Sequence, residues 1–110
     1  MSLRVAKRLE AAGQRVRVID LRWLSPLPVD AVAEHVEACG DRLLIVDECR
    51  ARSGIANELH ARVADQRPGA RIERVQAPDT YIPLGVAANL VLISEADIER
   101  AALGLGGAEV

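Results

Sequence analysis

The stretch LLIVDECRARSGIANELHARV, residues 43–63, decides how the chain is read. Leu43, Leu44, Ile45 and Val46 form an unbroken β-prone run, the pattern of a strand covered on both faces. The run ends in two carboxylates, Asp47 and Glu48, and passes through a loop carrying Arg50 and Arg52. Beyond Gly54 it resumes with Ile55, Leu59 and Val63 at helical spacing, predicting a helix to Gln66. A buried strand, a charged loop and a helix start together form the place where open α/β sheets bind ligands. Three readings follow: a catalytic site, an anion cradle, or a docking surface.

The flanking sequence repeats the alternation. Leu3, Ala6 and Leu9, with Val5 and Ala12 beside them, predict an amphipathic helix that Gly13 ends. RVRVIDL, residues 15–21, alternates charge with valine and then turns apolar, predicting a strand that Pro26 and Pro28 exclude from continuing. Val29, Val32, Ala33 and Val36 share one face of a second helix over 29–39, before Gly40. RIERVQAP, residues 71–78, predicts a further strand, and DTYIPLG, residues 79–85, a loop broken by Pro83 and Gly85. Ser94 and Asp97 have the spacing of a capping box opening a last helix, with Ile98, Ala101, Ala102 and Leu105 as its apolar stripe and residues 104–110 as a frayed tail. Strands and helices in this order predict one α/β domain over 1–110, three-layered (α/β/α), with a mostly parallel sheet. Such a unit ordinarily opens on a strand, whereas here a helix comes first.

Composition narrows the function. Sixteen acidic and fourteen basic side chains leave a formal charge of -2, with Trp23 and Tyr81 the only aromatics, so neither a basic stripe nor a base-stacking platform for nucleic acid is present. No apolar run is long enough to cross a bilayer and the first residues lack a signal-peptide core, which makes a cytoplasmic location the expectation. Cys39 and Cys49 fit no metal or disulfide framework and read as free thiols, and His35 with Cys39 falls short of a zinc ligand set.

The decisive stretch holds candidate chemistry without completing a site. Asp47 and Glu48 are adjacent, so along a strand they point to opposite faces, and the bland alternative is one solvated carboxylate and one that positions the loop. Ser53 and Gly54 precede a helix whose free N–H groups suit a small anion or nucleotide, or need only an ordinary N-cap, and no GxGxxG or GxxxxGK[ST] accompanies them. Arg50 and Arg52 fit a phosphate, a partner's carboxylates, or plain solvent. Nucleophile elbow, metal set and convergent acid–base pair are all missing from the sequence pattern.

Three stretches together resemble one family. VIDLRWLSPLP at 18–28, LLIVDECRARSGIANELHARV at 43–63 and RVQAPDTYIPLG at 74–85 are similar, in order and separation, to segments of the C-terminal domain of the E1 component β subunit of thiamine-diphosphate-dependent 2-oxoacid dehydrogenases. The resemblance implies a transketolase C-terminal domain-like fold and an assembly role. Thiamine diphosphate and magnesium would be bound by the other domains of the full enzyme and no cofactor by this segment. Its partners would be other domains or subunits of the E1 enzyme in an oligomer and, in multienzyme complexes, the acyltransferase component. Asp47, Glu48, Arg50, Arg52 and Gly54 would then face neighbouring domains or subunits, with Asp79, Thr80, Ile82 and Pro83 forming a structured turn on the same side. The matching domains of transketolases and deoxyxylulose-phosphate synthases fit VIDLR and the APDT segment less well. Two departures stand out. Cys49 and Ser53 occupy positions where the family often has glycine, putting a tight backbone approach in question. The family's opening strand, which lies between the counterparts of RVRVIDL and LLIVDE, has no equivalent here. The expectation is therefore a portion of a longer E1-type polypeptide, or a split one, lacking its first strand, whose two flanking strands either pair directly or expose edges that recruit another chain.

Overall fold

The computed structural model describes residues 1–51 and 54–106. In chain order they form helices α1 (Ser2–Ala11) and α2 (Val29–Ala38), strand β1 (Arg42–Arg50), helix α3 (Ile55–Gln66), strand β2 (Arg71–Ala77), a 3-10 helix (Gly85–Leu90) and helix α4 (Glu95–Gly106). β1 and β2 pair in parallel from Arg42↔Arg71 to Asp47↔Gln76, and α3 is the crossover between them. Asp41 fixes the start of this unit: its carbonyl accepts from Arg71 N at 2.8 Å, and its carboxylate receives Arg67 Nε at 2.9 Å and Nη2 at 2.7 Å.

The apolar residues of β1 divide by parity, as a pleated strand requires. Leu43 and Ile45, with Ile72 of β2, face a layer made by Val29, Val32 and Val36 of α2 and Ala56, Leu59 and Val63 of α3. Leu44 and Val46, with Val75, face the opposite layer, made by Val5 and Leu9 of α1 and Ile98, Ala101 and Ala102 of α4. The three-layer, parallel α/β architecture expected from the sequence is therefore present.

Three local expectations are corrected. RVRVIDL is not a strand: among the described residues the sheet has the order β1–β2 and residues 14–21 pair with neither. A strand needs a neighbour to satisfy its backbone ladder, and the segment is held instead by Gln14 N donating to Leu9 O at 2.9 Å and by side chains. Gln14 Nε2 donates to Ala102 O at 3.2 Å, Arg17 Nη1 donates to His35 Nδ1 at 2.9 Å, and Leu21 packs on the α2–α3 layer. Leu3 is 69% exposed while Val5 and Leu9, each 1% exposed, carry the contact of α1 with α4. They lie one turn apart on a face that Leu3 does not share. Residues 104–106 continue α4, because Leu105 is buried and gives the last turn a packing reason to form. The rest of the expected tail, 107–110, lies outside the described residues.

The capping box at α4 is formed in full. Ser94 Oγ accepts from Asp97 N at 3.2 Å, and Asp97 Oδ2 accepts from Ser94 N at 3.0 Å and from its hydroxyl at 2.9 Å. These bonds from Ser94 hold the Asp97 carboxyl below its ordinary range, with Arg100 adding to the effect. Next to it, Arg4 Nε donates to Glu95 Oε1 at 2.5 Å and lowers the Glu95 carboxyl, so α1 and α4 share a charged seam above their apolar contact. Both carboxyls have depressed folded-state values, so they stabilise fully above the ordinary carboxylate range near pH 4 and lose that contribution as pH falls through the folded values. Urea midpoints are therefore expected to drop between about pH 5 and pH 2, and Glu95→Gln should flatten part of that slope. Ser94→Ala should lower stability at pH 7 by about 1 kcal/mol.

Candidate docking surface

The site is built where β1 ends. The β1–β2 register shifts between Asp47 and Arg50, a bulge that removes Glu48 and Cys49 from regular pairing. Asp47 turns inward and is half-buried, whereas Glu48, Cys49 and Arg50 are exposed. Asp47 Oδ1 accepts from Cys49 N at 3.0 Å and Oδ2 accepts from Ala56 N at 3.2 Å. Ala56 is in the first turn of α3, so a carboxylate at the end of the strand caps the helix that follows it. The Cys49 thiol also lies against Asp47, whose carboxylate raises its pKa by hydrogen bonding and by charge. That makes Cys49 a poor nucleophile at neutral pH.

Gly54, at φ +97°, permits this arrangement. A Cβ built there would stand 2.6 Å from Cys49 Cβ and 2.8 Å from Asp47 Oδ2. The tight glycine approach that Cys49 and Ser53 put in question is made by Gly54 itself. Arg52 and Ser53 lie outside the described residues. The remainder of the loop is tied back: Ala51 N donates to Ala77 O at 3.1 Å, Asn57 Nδ2 to Ala51 O at 3.2 Å, and Arg74 Nη1 to Asn57 Oδ1.

Because β1 and β2 are parallel neighbours, the loop after β2 leaves from the same end of the sheet. There Thr80 N donates to Pro78 O at 2.8 Å, closing a tight turn at Asp79, and Asp79, Thr80, Ile82 and Pro83 are exposed. Asp47, Glu48, Arg50 and Gly54 therefore share one end of the sheet with these four. The sequence reading singled out Ile82 and Pro83 but passed over their neighbours. Tyr81 is 88% exposed, Leu84 95% and Val86 85%, so the loop carries a run of apolar side chains turned to solvent. The signal was present: several large apolar residues between Pro78 and Gly85 in a segment that cannot form a strand or helix to bury them.

The described residues at this end suit neither a metal nor an anion. Among the described residues no group of three or more His, Cys, Asp or Glu could hold a metal ion. The start of α3 already receives a carboxylate of the chain's own, which repels a second anion. These residues therefore do not fit a thiamine diphosphate–magnesium site, which needs hard oxygen ligands for the metal and free donors for the diphosphate. No helix among the described residues is long and apolar enough to cross a membrane.

Comparison with known proteins agrees with this architecture. The sequence pattern of the transketolase C-terminal domain matches residues 1–98. The chain belongs to the transketolase C-terminal domain family. It is 41% identical over 105 residues to the acetoin:2,6-dichlorophenolindophenol oxidoreductase subunit beta of Cupriavidus necator, covering 92% of this chain and 31% of that protein. It is 36% identical over 100 residues to the pyruvate dehydrogenase E1 component subunit beta of Bacillus subtilis, and equally to that of Staphylococcus epidermidis, covering 88% of this chain and 30% of each. The chain thus spans about a third of the length of the curated relatives it matches.

Within this transketolase C-terminal domain, Asp47 and Gly54 are structural in role. Asp47→Ala removes the cap of α3 and is expected to cost about 1–2 kcal/mol in urea unfolding. Gly54→Ala combines a positive φ with a clash and should cost as much or more, roughly 1–3 kcal/mol. Glu48→Ala, on an exposed side chain, should fall within about 0.5 kcal/mol of the parent.

Proposed function

We propose that the chain is a non-catalytic assembly domain of a thiamine-diphosphate-dependent 2-oxoacid dehydrogenase of the E1 type. In the full enzyme it would face other domains or subunits through the carboxyl end of its sheet. The observation that carries the reading is the exposed apolar loop Tyr81–Val86 beside a charged rim of Glu48, Arg50 and Asp79. An apolar centre with a polar border is the make-up of a protein interface. Family membership and the named E1 relatives support the parent enzyme class. The oxidative decarboxylation of a 2-oxo acid, with thiamine diphosphate and magnesium, belongs on this reading to parts of the enzyme beyond this domain. The acyltransferase component of a multienzyme complex is a further partner on the same reading, and two unbridged cysteines, one of them exposed, agree with a reducing cytoplasm.

Association is the test. The chain is mixed with a recombinant E1 β subunit lacking its C-terminal domain, together with the α subunit, and followed by sedimentation. A defined complex is expected. Ile82→Asp combined with Leu84→Asp should weaken it at least about tenfold, since charges placed at an apolar interface centre are costly, while leaving the urea midpoint of the free chain unchanged. A chain that remains monomeric in that mixture, or a complex indifferent to both substitutions, would contradict the reading.

A further inference from the structure

The carboxyl end of the sheet carries a pair of exposed apolar side chains outside the loop that follows β2. Trp23 is 66% exposed and Leu24 51%, side by side between Leu21, which packs on the α2–α3 layer, and Leu27, which is buried in it. Their place follows from the direction of the chain. α2 ends at Ala38 and β1 begins at Arg42, so helix and strand run antiparallel, and the residues leading into α2 stand at the end where β1 finishes. The approach from the other side agrees: Gln14 and Arg17 share a groove with Arg42 at the start of β1, and residues 14–21 carry the chain away from it toward the start of α2. Trp23 and Leu24 therefore open at the same end as Tyr81–Val86, in a domain that measures 40 × 35 × 24 Å.

Two constraints set this pair apart from scattered surface residues. Burying an aromatic side chain removes about 150–250 Å² from water, yet Trp23 stays largely outside while Leu21 and Leu27 on either side of it go in. The loop is thus pinned at both ends and presents its tip already ordered, which lowers the entropic cost of binding. Interface size supplies the second constraint. A stable protein interface takes about 800 Å² and about 20–30 residues from each side. The run Tyr81–Val86 with Glu48, Arg50 and Asp79 falls short of that, so a stable assembly face has to extend across the same end of the sheet. Trp23 is of the residue type most enriched at interface centres. Asp20 and Arg22, exposed and 3.8 Å apart, border it as Glu48 and Arg50 border the other loop.

We propose that Trp23 and Leu24 form a second anchor of the docking face, seated in an apolar pocket of the same partner that receives Tyr81–Val86. The inference rests on the assembly reading and adds the shape of the partner: one surface with two apolar recesses, the recess for Trp23 offering an acceptor to the indole N–H. Trp23 is the chain's only tryptophan, so the whole chain labelled with fluorotryptophan reports on this side chain alone. The labelled chain is mixed with the α subunit and the β subunit lacking its C-terminal domain, and association is followed by sedimentation. In the complex the fluorine resonance should shift, and its broadening by a soluble gadolinium chelate should fall severalfold. Trp23→Ala should weaken association at least about tenfold and leave the urea midpoint of the free chain in place. Trp23→Phe, which keeps an aromatic body and loses the N–H, should fall between the two. A complex in which the fluorine signal is unchanged and fully accessible, or whose affinity Trp23→Ala does not alter, would overturn this inference and leave the assembly reading standing. Absence of any complex would overturn both.

Discussion

Both apolar layers of the domain are fastened to one strand. Leu43 and Ile45 of β1 hold the layer of α2 and α3, and Leu44 and Val46 hold that of α1 and α4, so four consecutive residues join two cores that otherwise meet only through β2. Burying a side chain of this kind contributes about 1.5–3 kcal/mol, and here three of the four are only half-buried. The strand that matters most to the architecture is thus also the one with stabilisation still available to it.

The same strand determines what its carboxyl end can do. Asp47 is occupied on both oxygens by backbone N–H groups, and the Cys49 thiol lies against it with its pKa raised. Asp47, which looked chemical in the sequence, is therefore engaged in joining strand to helix. The apolar loop at 81–86 lies at the same end, beside exposed Glu48 and Arg50. On the proposed reading, this apolar, charge-rimmed end of the sheet serves to bind a protein.

Local patterning made much of this legible. α2, α3, β1 and β2 follow from residues whose periodicity matches the face they bury, and Ser94 with Asp97 announced the start of α4 through a short-range motif. The misreadings all depend on information the local pattern does not hold. RVRVIDL has the composition of a strand, yet strand formation requires a neighbour, and residues 14–21 have none within the described sheet. Leu3 fits a helical stripe as well as Val5 does until the direction of α4 is known. Cys49 and Ser53, standing where the family often has glycine, put a tight backbone approach in question, yet Gly54 makes one. Tyr81, Leu84 and Val86 were ordinary loop residues until their exposure appeared together.

The central claim is that this domain contributes a surface to a larger catalyst and performs no reaction step itself. The most direct measurement is turnover by the purified chain supplied with thiamine diphosphate, magnesium, a panel of 2-oxo acids and a dye electron acceptor. The account predicts dye reduction at the background rate at every chain concentration, with activity appearing only when the cofactor-binding subunits are added. Dye reduction that scales with the concentration of this chain alone would contradict it.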